Sequence, residues 1–436
     1  MTGRRIALAT LLAGGIAPAW SAPPEGVIVI RGGRIVTVSG PVLERGSVLV
    51  AGGKIAAVGP SVDAPPGAAV VEAEGKTVYP GLIDGLTTLG LVEIQSVTGS
   101  VDTTELGDVN PHARAWVAVH PHSEQIPVAR ANGVTAALSA PGGRLVSGQG
   151  AVIRLAGTTP AELTVLGPAA LHVVFPTGRP SPEPGRLFEE PELKTFEEWQ
   201  KERKRGKERA LDRLRNLLEE AKAYGAALDA ARAGRIDAPR PDTSMEALFP
   251  YARGTLPVVV RADDEEDIRA AVRFAGEREL RLIVAGGLEA WRCADLLAEK
   301  KVPVLLKVDR LPDRESDPYD APFAGPARLH AAGVPFAIVS DDSDMSRNLP
   351  YEAAMARAYG LPPAEALRAI TLSPAEILGV ADRLGSIEVG KDAHIVVADG
   401  DILDHRTRVT HVFVDGVAQS LETRHTRLYE RFKDRP

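Results

Sequence analysis

The sequence predicts an α/β protein: a TIM-like (β/α)8 barrel joined to a composite β-sandwich formed by the N- and C-terminal segments. Three observations carry this expectation. The 436 residues leave room for a barrel plus a smaller module. Residues 79–385 alternate β-prone runs with helical stretches, the pattern of a parallel sheet, and the number of units favours closure into a barrel. Residues 22–78 and 386–420 instead carry short Val/Ile-rich runs separated by glycine pairs and turns, as antiparallel sheets do.

In chain order, Arg4 and Arg5 precede an apolar run over 6–17 and the small-residue site Ala19-Trp20-Ser21. This predicts a signal peptide over 1–21, cut after Ser21 or Ala22, and a periplasmic or secreted mature protein. The run is too short to span a bilayer, and no membrane insertion of the mature chain is expected. Strands follow at 27–30, 34–38, 47–50, 54–58 and 69–72, with Gly32-Gly33 and Gly52-Gly53 as hairpin signals. In the middle, 134–138, 171–175, 257–261, 280–285, 302–307 and 334–340 read as barrel strands. Segments 263–278, 288–300, 323–332, 349–359 and 363–371 read as the helices between and after them. From about 193 to 234 a charged stretch interrupts the pattern. Leu211, Leu214, Leu218, Ala221 and Tyr224 keep helical spacing, and 201–220 hold 13 charged residues, eight of them basic. A long solvated helix covering one side of the barrel accounts for this; a lid or a partner-binding arm is the functional alternative. Residues 392–398 and 409–417 return to β, and 421–436 read as a C-terminal tail.

The balance of 51 basic and 58 acidic residues, net −7, gives no general attraction for nucleic acid or for an anionic membrane. A small-molecule ligand or substrate is the expected partner. Cys293 is the only cysteine, which excludes an intramolecular disulfide and any cysteine-based metal site.

The stretch Val78-Tyr79-Pro80-Gly81-Leu82-Ile83-Asp84-Gly85-Leu86-Thr87-Thr88-Leu89-Gly90 runs from a β-prone segment into a bend, as a first barrel strand does at its rim. Late in the chain stand Ala366-Leu367-Arg368-Ala369-Ile370-Thr371-Leu372-Ser373-Pro374-Ala375-Glu376 and Leu384-Gly385-Ser386-Ile387-Glu388-Val389-Gly390-Lys391-Asp392-Ala393-His394. Together, in this order, these segments resemble the amidohydrolase superfamily, and within it the imidazolonepropionase-like branch. The resemblance implies metal-assisted hydrolysis of a carbon–nitrogen bond. Its ligands would be two histidines after the first strand, histidines ending the fifth and sixth, and an aspartate ending the eighth. Carried over position by position, these are Leu86, Thr88, Arg261, Gly286 and Asp341. A zinc-like ion needs about three nitrogen, sulfur or carboxylate ligands. Four of the five positions offer none, so no cofactor is expected; a divalent metal such as zinc is the alternative if these positions are misassigned. A fourth-strand lysine or glutamate is not identifiable.

His120-Pro121-His122 has the literal spacing of a metal pair but reads as a turn and helix cap. The other histidines, His172 among them, read as solvated or core residues. Strands five and eight of such a barrel end at one mouth, so Arg261 and Asp341 are expected to face each other and pair. Asp341 is the candidate catalytic residue. Arg261, Gln149 and Arg347 are candidate ligand-binding residues, with Ser147-Gly148-Gln149-Gly150 read as a loop at the mouth. The functional expectation is a relative of carbon–nitrogen hydrolases with reduced, altered or absent activity. The alternative is a non-catalytic ligand-binding protein or partner subunit of an intact paralogue; a homo-oligomer is also compatible.

Overall fold

The computed structural model describes residues 26–176, 195–312, 314 and 316–435. The expected signal peptide and its cleavage site lie outside them. Two eight-stranded sheets organise the chain. The first takes β1 (Ile28–Ile35), β2 (Leu43–Ala51), β3 (Lys54–Gly59), β4 (Ala69–Glu72) and β5 (Thr77–Pro80) from the N-terminal segment. The C-terminal segment supplies a further three strands, which pair beside β5. Ahead of them come the barrel strands β6 (Leu82–Thr87), β7 (Val134–Ser139), β8 (Val146–Arg154), β9 (Thr164–Val174), β10 (Pro257–Ala262), β11 (Arg281–Gly286), β12 (Val304–Leu306) and β13 (Phe336–Ile338). The C-terminal strands are β14 (Ile395–Ala398), β15 (Val409–Val414) and β16 (Val417–Gln419).

The composite module is sealed where β5 pairs antiparallel with β14, Tyr79 opposite Val396. Its core combines Ile30, Val48, Ile55 and Val78 with Ile395 and Phe413, so neither chain end buries that face alone. The Tyr79 hydroxyl donates to the Gly400 carbonyl at 3.2 Å and ties the module's two halves once more.

Barrel strands follow one another in spatial order from β6 to β13. One feature departs from a regular (β/α)8 barrel: β8 runs antiparallel to both β7 and β9. The 147–150 stretch, expected as a loop, lies within this strand. Its glycines permit close approach. A β-carbon on Gly148 would stand 2.9 Å from the Ala113 carbonyl oxygen, and one on Gly150 would stand 2.6 Å from His172 Nε2. Between β13 and β6 the residues 369–370 complete the wall. Ile338 N donates to the Ala369 carbonyl (3.0 Å) and Ile83 N to that of Ile370 (2.8 Å). At the rim, Asp341 N donates to the Leu86 carbonyl at 2.9 Å. Small and branched side chains, including Ile83, Leu86, Ala136, Val259, Ala337 and Val339, fill the barrel interior.

The charged segment forms one helix, Phe196–Arg232, opened by a Thr195/Glu198 capping box. Leu214, Leu218 and Ala221 are buried, matching the helical spacing of the sequence. The expected tail is not all coil: Arg424–Phe432 is a helix. Among the described residues no helix is long and apolar enough to cross a membrane.

Candidate ligand site at the barrel rim

Arg261 is the fifth residue of β10, in register with Ala285 on β11 and Val174 on β9. Asp341 follows β13 and the buried Ser340. The parallel strands deliver both to the C-terminal rim, where the guanidinium grips the carboxylate with both nitrogens. Arg261 Nη1 donates to Asp341 Oδ2 at 2.7 Å, and Nη2 donates to Oδ1. The expected pair is therefore formed. Asp341 takes a left-handed backbone conformation (φ 56°), which aspartate tolerates better than a branched residue.

The pair lies in a cavity of about 300 Å³ shared by Leu86, Thr88, Gly142, Gly143, Ser147 and His172. A larger cavity, about 1060 Å³, lies at the opposite end of the barrel around Arg281, Val302 and Val334, away from these groups. His172 was not expected at the site. It is 6% exposed, and its Nε2 has no hydrogen-bond partner among the described residues. Burial, reinforced by the Arg261 charge, pushes its pKa down to about 3, so the ring is neutral near neutral pH. The signal was a polar residue in a strand of alternating facing: β9 residues two apart point one way, and Gly150 across the ladder leaves room for the ring.

Three expected positions need correction. Gln149 is buried on the outer side of β8, where its side-chain amide donates to the Pro111 carbonyl at 2.7 Å; it does not line the cavity. Arg347 lies in a short 3-10 turn after the β13 loop; its carbonyl accepts from Asn132 Nδ2 at 2.8 Å, and it too is absent from the cavity wall. Gly286 is not the inward residue of β11. Ala285 lines the cavity at the level of Arg261, while Gly286 has φ 89° and a β-carbon there would stand 2.5 Å from Asp263 Oδ1. Leu86, Thr88, Arg261 and Asp341 do converge.

Asp84 underpins the rim. Fully buried, it accepts from Ser340 N at 3.1 Å, from Ser346 Oγ at 2.8 Å and from Ser340 Oγ. Burial pushes its carboxyl up to about 6, and those hydrogen bonds offset part of the rise. These bonds hold Ser340, and with it the adjacent Asp341, against β6.

The residues present do not compose a zinc-like site. Leu86 and Ala285 offer no donor, Arg261 is a cation, and both Asp341 oxygens already accept from the guanidinium. His172 adds one nitrogen. The His120–His122 rings stand 6.2 Å apart, edge to face, outside this cavity.

Comparison with known proteins fits this architecture. The model of the amidohydrolase family matches residues 322–418. An amidohydrolase, tasK, of Hapsidospora irregularis is 27% identical over 399 residues, covering 86% of this chain and 40% of that protein. An imidazolonepropionase of Thermoplasma volcanium is 41% identical over 73 residues, 16% of this chain and 18% of that one. The chain thus spans less than half the length of the curated relatives it matches. The crystal structure of an amidohydrolase from Thermotoga maritima aligns at 28% identity with a TM-score of 0.77, covering 90% of this chain and 99% of the other. Residues 322–418 thus match the amidohydrolase family, and over most of its length the chain is similar in sequence and fold to proteins named amidohydrolases.

Proposed function

We propose that this protein binds a small amide-, amidine- or dipeptide-like ligand at the Arg261–Asp341 cavity and does so without a resident metal ion, so that carbon–nitrogen hydrolysis is reduced or absent. The observation that carries this reading is the double-pronged Arg261–Asp341 pair in the mouth of an amidohydrolase barrel. A bound divalent metal lowers the pKa of its water to about 7 and supplies hydroxide at neutral pH. A guanidinium is always charged and donates hydrogen bonds only; it neutralises the carboxylate but cannot ligate or activate water in that way. The amidohydrolase names of relatives at 27–28% identity support the ligand class.

The test combines elemental analysis of the purified protein with a hydrolysis panel of cyclic amides and dipeptides. The expected result is substoichiometric metal and turnover indifferent to chelators. Near-stoichiometric zinc, or activity abolished by a chelator, would overturn the proposal. Export is part of the same reading, and intact-mass measurement of protein from the native host should give a chain starting at Ala22 or Pro23.

A further inference from the structure

The helix Arg424–Phe432 is formed on local grounds. Thr423 Oγ1 accepts from Thr426 N at 3.2 Å and Thr426 Oγ1 accepts from Thr423 N at 2.9 Å, a reciprocal cap that needs no tertiary packing. An amphipathic helix normally turns its apolar stripe to a core. This one buries no residue. At about 100° per residue, Leu428, Phe432 and Tyr429 share one face, and Arg424 and Arg431 border it. Leu428 is 40% and Tyr429 66% exposed. Arg427 bonds to both oxygens of Glu124 (2.9 and 3.0 Å) and fixes the helix to the body of the protein by a different side.

The cations beside the exposed face identify what covers it. Arg431 and Arg435 place their guanidinium carbons 5.2 and 4.0 Å from the centroid of the Phe432 ring, so the apolar face carries positive charge at its edge. Residues 424–435 hold Arg424, Arg427, Arg431, Lys433 and Arg435 against Glu430 and Asp434, in a chain whose net charge is −7. An apolar centre flanked by cations is complementary to a bilayer with anionic headgroups: the ring and the leucine enter the acyl boundary while the guanidiniums meet phosphates. We propose that this helix is an interfacial anchor that lays the protein against an anionic phospholipid surface. The proposal is independent of the ligand site.

Co-sedimentation of the full chain with vesicles tests it, comparing an equal mixture of phosphatidylglycerol and phosphatidylcholine with phosphatidylcholine alone. The expected result is binding to the anionic vesicles only, weakened by salt. Phe432→Asp and Leu428→Asp should each lower the partition coefficient about tenfold or more. The Arg431→Ala/Arg435→Ala double variant should lower it about 25-fold, roughly fivefold per charge. None of these side chains is fully buried, with Phe432 half-buried and Leu428 40% exposed, so a thermal unfolding curve recorded for each variant separates lost binding from lost folding: a variant that melts like the wild type and fails to bind has lost only the surface contact. Failure to pellet with anionic vesicles, equal binding to neutral ones, or undiminished binding by the variants would overturn the proposal. So would a dimer in analytical ultracentrifugation that Leu428→Asp dissociates, since a second copy would then cover the face.

Discussion

At the rim cavity Asp341 meets a guanidinium that takes both its oxygens, whereas Asp84 and Glu352, beneath and beyond the same loop, are buried with no ion pair among the described residues. Asp84 is held by serine hydroxyls and backbone N–H groups. Glu352, in the first turn of the helix Leu349–Ala358, has no hydrogen-bond partner of ordinary geometry on either oxygen among the described residues. Burial, reinforced by the nearby Asp84 charge, pushes Glu352 up to about 8. The contrast shows two ways to keep an acid inside a barrel: compensate its charge where a ligand can reach it, or raise its pKa where none can.

The largest expected effect tests the second way. Asp84 is raised from 3.8 to about 6 and Glu352 from 4.5 to about 8. The folded state therefore holds these protons more tightly than the unfolded state, so their contribution to stability is complete at low pH. It is lost as pH rises through about 6 for Asp84 and about 8 for Glu352. Thermal melts should show stability falling from pH 4 to 8, by about 3 kcal/mol or more. Glu352→Gln should remove most of the upper half of that fall and raise stability at pH 8 by ~3 kcal/mol. A flat profile in the wild type would erase the contrast.

Asp84→Asn comes next. It takes a charged acceptor from two hydroxyls and from the N–H groups of Ser340 and Leu86, and chemical denaturation at pH 7 should register a loss of ~2 kcal/mol. A gain in stability would mean that the desolvation cost outweighs the bonds. Gly150→Ala probes the packing behind the cavity. Its β-carbon would meet His172 Nε2 at 2.6 Å and the Ser139 carbonyl at 3.1 Å, so a destabilisation of about 1–3 kcal/mol is expected. The smallest effect belongs to the compensated acid. With the Arg261 side chain 41% exposed, a double-mutant cycle of Arg261→Met and Asp341→Asn should give a coupling of only ~1 kcal/mol. A coupling several times larger would put the pair on the buried side of the comparison.

The pairing of Arg261 with Asp341 was legible because each residue ends a recognisable strand and parallel strands deliver their ends to one rim. His172 was not, although its strand was recognised, since facing depends on pairing across β8, whose glycine-rich start resembled a loop. The same limit explains Gly286. In strands of period two a one-residue error exchanges inside for outside, and only the register of Arg261 with Ala285 resolves it.

The sequence by itself determined the order of the modules, the βα alternation of the barrel, the composite sheet built from both ends and the meeting of one cation with one anion at the mouth. The first three follow from periodicity, turn residues and the chain direction, which are local; the last rests also on the resemblance to amidohydrolases, which put Arg261 and Asp341 at the ends of the fifth and eighth strands. Tertiary structure alone decided the reversed direction of β8, the bridge of residues 369–370 between β13 and β6, the burial of Asp84 and Glu352 and the arrival of His172 beside Arg261. Each depends on which segments lie against each other in space, and burial, not residue type, sets what a titratable group costs.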